Sequence, residues 1–169
     1  KGLSRKPYCR RIELIFMHKI LPNLIVLILV NCWVNAQTPQ VEVLVDTFIF
    51  KKAPFKQCHA STLVETTKGD ILAAWFGGEY ERHPDVSIYQ SKLTDTVWSR
   101  PQKIADGKVE NDTLSYPTWN PVLFKNAENT LMLYYKEGPS PSTWWGKFKT
   151  SEDNGASWSA AEQLPDGIL

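Results

Sequence analysis

Sliding the chain against itself by sixty residues aligns residues 61–104 with residues 121–164 without a gap. Leu63 falls on Leu123, Ile71 on Leu131, Ala73 on Leu133, Trp75 on Tyr135 and Gly78 on Gly138. Further along, Ile88 meets Phe148, Ser91 meets Ser151, Trp98 meets Trp158 and Ser99 meets Ser159. Self-similarity at a fixed period means one supersecondary unit stacked on copies of itself. Within each copy, short β-patterned runs alternate with turn residues, at 62–66, 70–76, 86–91 and 97–104, then at 122–125, 130–135, 145–150 and 158–164. Four antiparallel strands in about sixty residues make a propeller blade, so the expected fold is all-β, with about two blades in a chain too short to close the ring. Residues 41–50 read as one more strand, of the kind that completes a last blade, with its partner expected beyond Leu169.

The repeat unit begins only after a segment of different character. Met17, His18 and Lys19 form a basic start, an apolar run covers residues 20–30, and Val34-Asn35-Ala36 ends on the small residue that a signal peptidase requires. The apolar run is shorter than the roughly 20 residues needed to span a bilayer. The expectation is therefore a cleaved signal peptide at 17–36, export to a periplasmic or extracellular space, and no membrane attachment afterwards. Residues 1–16, upstream of that methionine, are read as foreign to the natural product, and 37–56 as an N-terminal strand region leading into blades at 57–169. Asn31 is a poor neighbour for Cys32 as a lipid-attachment cysteine.

Setting residues 1–36 aside removes six of the nineteen basic residues and one of the eighteen acidic ones. The remainder carries thirteen basic against seventeen acidic side chains, a net charge of about −4 with no basic stripe, which argues against a nucleic-acid partner. Cys58 is then the one cysteine left, so no internal disulfide is available to it, and it is expected to be a small buried apolar residue. No His and carboxylate spacing suggests a metal site, and no cofactor motif is present.

In the second copy, Ser151-Glu152-Asp153-Asn154-Gly155-Ala156-Ser157-Trp158 follows the pattern S-x-D-x-G-x-[S/T]-W. The Asp carboxylate accepts N–H groups across a turn, Gly supplies a positive φ, and Trp packs into the adjacent apolar layer. In the first copy, residues 91–98 keep Ser91 and Trp98 at the same spacing but lack the Asp and Gly. Asp153 is accordingly a turn-stabilising residue rather than a catalytic one.

Successive turns of an antiparallel meander alternate between the two faces of a propeller disc. Loops 77–85 and 137–144 therefore open opposite the 151–158 turn, together with the connector 105–119, His59 and Asn120. Loop 77–85 gathers Glu79, Glu81, Arg82, His83 and Asp85. Glycosidic cleavage needs a carboxylic acid beside the leaving oxygen, and this loop offers one at the mouth, although a solvated charged loop explains the same residues. Trp144, with Trp119 and Tyr116, is read as a sugar-stacking platform, the competing reading being simple packing.

The S-x-D-x-G-x-[S/T]-W turn, known as the Asp-box, the blade repeat and the order of the first blade resemble the sialidase (neuraminidase) superfamily, specifically its neuraminidase-repeat branch, over residues 57–169. The resemblance implies a six-bladed propeller that hydrolyses terminal glycosides. It also implies three arginines on the substrate carboxylate, an Asp acid/base in the first blade's loop, and a Tyr nucleophile assisted by Glu. Where that family opens its first innermost strand with Arg-Ile-Pro, this chain has His59-Ala60-Ser61, so His59 stands in place of the first arginine. An imidazole cannot make the two-pronged contact of a guanidinium. Either Arg82 substitutes from the loop, or the substrate is not a standard sialoside.

Glu81 and Asp85 are both eligible as the acid/base, with Asp85 preferred. Substrate contacts are assigned to His59, Arg82, Trp119, Asn120 and Trp144. The leading expectation is a secreted exo-acting glycosidase cleaving sialic acid or a related acidic sugar, this segment alone being inactive. The rival is a non-catalytic glycan-binding propeller, and the third reading is a purely structural or protein-binding one.

Overall fold

In the computed structural model, residues 39–168 are described; the expected signal peptide at 17–36 and residues 1–16 lie outside them. From Val45 to Leu169 the chain forms one compact unit, and among the described residues every regular element is a strand. The first sheet contains β1 (Gln57–Glu65), β2 (Ile71–Gly78), β3 (Ser87–Thr94), β4 (Val97–Trp98) and β5 (Gln102–Ala105), with β4 and β5 both pairing β3. A short ladder of β6 (Gly107–Lys108) and β7 (Ser115–Tyr116) forms the connector. The second sheet follows as β8 (Thr118–Lys125), β9 (Leu131–Glu137), β10 (Trp145–Ser151) and β11 (Glu162–Gln163). All pairings are antiparallel, and apart from β3 with β5 they join chain neighbours, so the two sixty-residue units are two consecutive blades.

The repeat extends to irregularities. A bulge interrupts β1 between His59 and Thr62, and another interrupts β8 between Trp119 and Val122. Within these bulges Ala60 and Asn120 occupy the same repeat position with φ of 54° and 41°. Positive φ in a residue with a Cβ is held only where the surroundings dictate it, and here the bulge re-aims the start of each innermost strand.

The core lies between the blades. Leu72, Ala74, Phe76, Val86, Ile88 and Ala105 of the first meet Trp119, Leu123, Leu131, Leu133 and Tyr135 of the second. Period-two alternation produces this layer: in β9, Leu131, Leu133 and Tyr135 are buried while Met132 and Tyr134 are only half-buried on the other side. On that other side Val122 and Phe124 are each 54% exposed, and Tyr134 stacks on Phe148 at 6.1 Å. This apolar face has the composition of one that packs on a further blade.

Residues 41–50, whose expected strand partner lies beyond Leu169, form no ladder within this segment; Phe50 packs tilted on Trp75 at 5.5 Å and Phe55 packs edge-on against it at 6.4 Å. One expectation fails locally. Cys58 is exposed rather than buried. Its cross-strand neighbour is Gly77, which has no side chain to cover it.

The Asp-box turn is a staple both within and between blades. Asp153 Oδ1 accepts from Ser157 N and Ser151 Oγ, each at 2.8 Å, and Oδ2 accepts from Ser157 Oγ at 2.5 Å. Asn154 Oδ1 accepts from Thr67 N and Oγ1 of the first blade at 3.0 and 2.7 Å. Trp158 Nε1 donates to Gln90 Oε1 at 2.9 Å, and Gln90 Nε2 donates to the Gly155 carbonyl at 2.7 Å. In the first blade, which lacks the Asp and Gly, β3 runs on to Thr94 and turns tightly through Asp95 instead (φ 56°).

The hydrogen bonds from the Ser157 hydroxyl and backbone, then from Ser151, hold the Asp153 carboxyl far below the ordinary carboxylate range. With a depressed folded-state pKa, the stabilisation is complete above the unfolded value of about 4 and is lost as pH falls towards the folded value. Asp153→Ala is expected to lower the thermal midpoint at neutral pH and to shrink the difference from wild type in melts below about pH 4. An undiminished difference at low pH would assign the effect to something other than the carboxylate.

Candidate functional site

Because β1 runs antiparallel to β2 with Gln57 opposite Gly78, the start of β1 shares an end of the blade with loop 79–86. The connector and the β9–β10 loop join that end: Thr118 pairs with Glu137, and Thr118 N and Oγ1 both donate to the Val86 carbonyl at 3.1 and 3.0 Å. The loop is anchored on both sides. Glu81 N–H donates to Gln57 Oε1 at 3.3 Å and Lys56 pairs with Glu79 on one flank; Ser115 Oγ donates to the Pro84 carbonyl at 2.9 Å on the other.

Within the loop, His83 N–H donates to the Tyr80 carbonyl and Val86 N–H to the His83 carbonyl, both at 3.0 Å, with Arg82 in the left-handed region at φ 78°. These turns bring His83 Nδ1 to 2.6 Å from Asp85 Oδ1, which also accepts from Glu79 N–H at 3.2 Å. Gly78 makes the fold-back sterically feasible, since a Cβ there would lie 2.7 Å from Asp85 Oδ1 and 2.9 Å from the Val86 backbone.

His83 and Asp85 open on a cleft of about 280 Å³ whose other walls are Pro84, Ser87, Lys103, Asp106, Lys108 and Ser115. That volume is at the small end of ligand sites, suited to one sugar-sized group. Partial burial alone would raise the Asp85 carboxyl. The His83 hydrogen bond, the Glu79 N–H and the charges of His83 and Lys103 outweigh it and hold the pKa below its ordinary value. Glu137, half-buried at the end of β9, is shifted the other way: burial raises it, Lys147 and a hydrogen bond with Trp145 only partly offset this, and Asp106 adds to it. Two carboxyl groups at one end of the blades are thus biased towards opposite protonation states.

The remaining expected site residues separate. His59 is exposed at the start of β1, its ring 5.5 Å from that of Phe76, and Arg82 and Glu81 are exposed on the loop. Asn120 lines a different hollow of about 390 Å³ with Val122, Tyr134, Tyr135, Lys136, Leu164 and Ile168. The tryptophan platform is corrected. Trp119 is only 2% exposed, donates Nε1 to the Gly138 carbonyl at 2.8 Å and lies between Phe76 and Trp144. Trp144, half-buried, packs against Trp119 at the edge of the interblade core with Lys136 over its ring. Tyr116 is half-buried against Trp145, edge to face at 5.2 Å.

Sequence reasoning grouped His83 with the loop but gave it no role; the signal was the His-x-Asp spacing inside a turn. Lys103, Asp106, Lys108 and Ser115 were missed as cleft walls, because they come from the outer strand and connector, where no periodicity marks them.

Residues 69–169, more than half of the chain, match the BNR repeat-like domain family, and the protein belongs to that family. Among solved structures the fold is similar to that of the Hadza microbial sialidase Hz136, at 15% identity and a TM-score of 0.54, covering 63% of this chain and 25% of that one. A Dyadobacter fermentans DSM 18053 protein of unknown function is matched at 15% identity and a TM-score of 0.49, over 64% of this chain and 36% of that one. No curated protein matches the sequence. The chain is therefore a segment of a sialidase-like β-propeller, spanning a quarter of the sialidase's length.

Proposed function

We propose that the protein to which this segment belongs is a secreted exo-acting glycoside hydrolase of the sialidase superfamily, cleaving terminal sialic acid or a related acidic sugar. The observation that carries the reading is the built loop at 79–86. Its backbone is anchored to Gln57 of β1 and Ser115 of β7, and its His83 and Asp85 open on a cleft with Lys103 and Lys108 in its walls. In the cleft wall Lys103 pairs with Asp106 at 3.9 Å and Lys108 is the further cation that suits an anionic substrate, while Glu81, Arg82 and His59 are exposed at the same end of the blade. With His59 in place of an arginine, a related acidic sugar fits better than a standard sialoside. The partner is a glycan and not nucleic acid, and the N-terminal signal directs export. The 169-residue chain alone, with an uncovered sheet face, is expected to be inactive.

The test is hydrolysis of fluorogenic sialosides and uronosides by the full-length protein. Asp85→Asn and Glu81→Gln are compared with wild type, and at least one is expected to lower kcat/KM by about 10²-fold or more. Absence of release from every acidic glycoside, with retained binding on a glycan array, would move the assignment to a non-catalytic glycan-binding propeller. The replacement of the expected arginine by His59 favours that second reading.

A further inference from the structure

The seam between the two blades carries a groove bordered by no residue of loop 77–85. Its volume is about 490 Å³, and Gln90, Gln102, Lys103, Ile104, Lys149 and Trp158 stand in its walls. Lys149 of β10 lies opposite Leu133 of β9, so the two side chains share the face of the sheet that packs on the first blade. Leu133 is fully buried in the interblade core, whereas Lys149 is half-buried and sends Nζ across the seam to the Ile104 carbonyl of β5, at 2.7 Å. Sixty residues earlier, at the same repeat position, the first blade has Tyr89, whose ring packs on Phe55 at 4.7 Å. An aromatic ring serves packing at this position in one blade; the next has an ammonium.

The groove is rich in donors and poor in acceptors. The Ile104 carbonyl takes one of the three ammonium hydrogens, and among the described residues no carboxylate pairs with Lys149. Gln90 is engaged at both ends: Nε2 donates to the Gly155 carbonyl at 2.7 Å and Oε1 accepts from Trp158 Nε1 at 2.9 Å. Gln102 Oε1 faces Gln90 Nε2 at 3.4 Å, which leaves the Gln102 amide hydrogens for a ligand. Lys103, exposed, lies 3.9 Å from Asp106. Burial pushes the Lys149 ammonium below its ordinary pKa while Asp106 pulls it the other way, so an anion in the groove would favour the charged form further.

The groove also leads somewhere. Lys103, Ile104 and Lys149 line an adjoining hollow of about 330 Å³ together with Asp106 and Tyr135, and Lys103 and Asp106 line the cleft of His83 and Asp85 as well. A chain of sugar units seated in that cleft has a polar path to Lys149 along the outer strand of the first blade. Both walls come from these two blades, so the groove needs no further blade to complete it.

We propose that the interblade groove is a second binding site, which holds a carboxylate of an acidic glycan at Lys149, outside the cleft. The inference rests on the acidic-glycan part of the reading above and not on hydrolysis. Lys149 contributes the charge and two free hydrogens, Gln102 a neutral donor for a neighbouring oxygen, and Trp158 with Ile104 an apolar wall for the ring.

The experiment reads protection of Lys149 in the full-length wild-type protein. The residue is acetylated with a trace of an N-hydroxysuccinimide ester, and its rate is followed by peptide mass without ligand and with tetragalacturonate, its carboxyl-reduced counterpart or inorganic sulfate at equal concentration. Saturating tetragalacturonate is expected to slow acetylation of Lys149 by about tenfold or more, and the reduced tetramer by less than about twofold. In calorimetry, Lys149→Met is expected to weaken tetragalacturonate binding by about tenfold, and Lys149→Arg by less than about threefold. No slowing at Lys149, or equal slowing by the acidic and reduced tetramers, would overturn the proposal. Sulfate as effective as tetragalacturonate would overturn it too, marking a site for small anions. Protection is read on the unmutated protein, so it decides the matter even if a variant misfolds. Protection of Lys149 in a protein that turns over no acidic glycoside keeps this site and removes the hydrolase reading; turnover with Lys149 unprotected removes this site and keeps that reading.

Discussion

Leu72→Ala is expected to destabilise the protein by about 3 kcal/mol, near the middle of the range for fully buried leucines. Leu72 is 0% exposed and sits where the two blades meet, in the layer that also holds Ile88, Leu131 and Leu133. Removing its isobutyl group loses the transfer free energy of the buried carbons and leaves a void between two sheets. Those sheets cannot close over it, because their ladders fix the spacing. Chemical denaturation checks the value; a loss below about 1 kcal/mol would mean that the blades do not share a core.

Gly155→Ala is the second large effect, expected at roughly 2–4 kcal/mol from two independent causes. Gly155 has φ of +80°, where a side chain costs about 1 kcal/mol or more. A Cβ there would also lie 2.8 Å from Leu72 Cδ2, and Leu72 has no free volume to yield into. The two substitutions are therefore coupled: in the Leu72→Ala background the new methyl enters the vacated space, and the double variant is expected to be more stable than the sum of the single losses implies. Strict additivity in a double-mutant cycle would show that the Asp-box turn does not press on the first blade. The same contact explains the motif's glycine better than turn geometry alone, since both the left-handed backbone and the absence of a side chain are required.

The candidate site was legible in part. Loop 77–85 stood out because charge concentrates in it, and the alternation of turns placed it opposite the Asp-box. The roles of its residues did not follow from that. Asp85 reads as a free acid in one dimension. In three, it is folded under Gly78 and bonded to His83. Trp119 and Trp144 read as platform or as packing, and the choice depended on tertiary contacts: Trp119 lies at the start of the bulge in β8, and Trp144 packs on it from the loop before β10.

The sixty-residue repeat determined the blades, their antiparallel order, the position of the Asp-box turn and the end of the disc on which the loop opens, since these follow from local strand and turn chemistry. Only the tertiary structure decided that the Asp-box joins one blade to the next through Asn154, Gly155 and Trp158, and that Lys103 and Lys108 wall the same cleft as His83. Those contacts join residues far apart in the chain, and their formation depends on the twist and spacing of packed sheets, which strand-by-strand patterns do not encode.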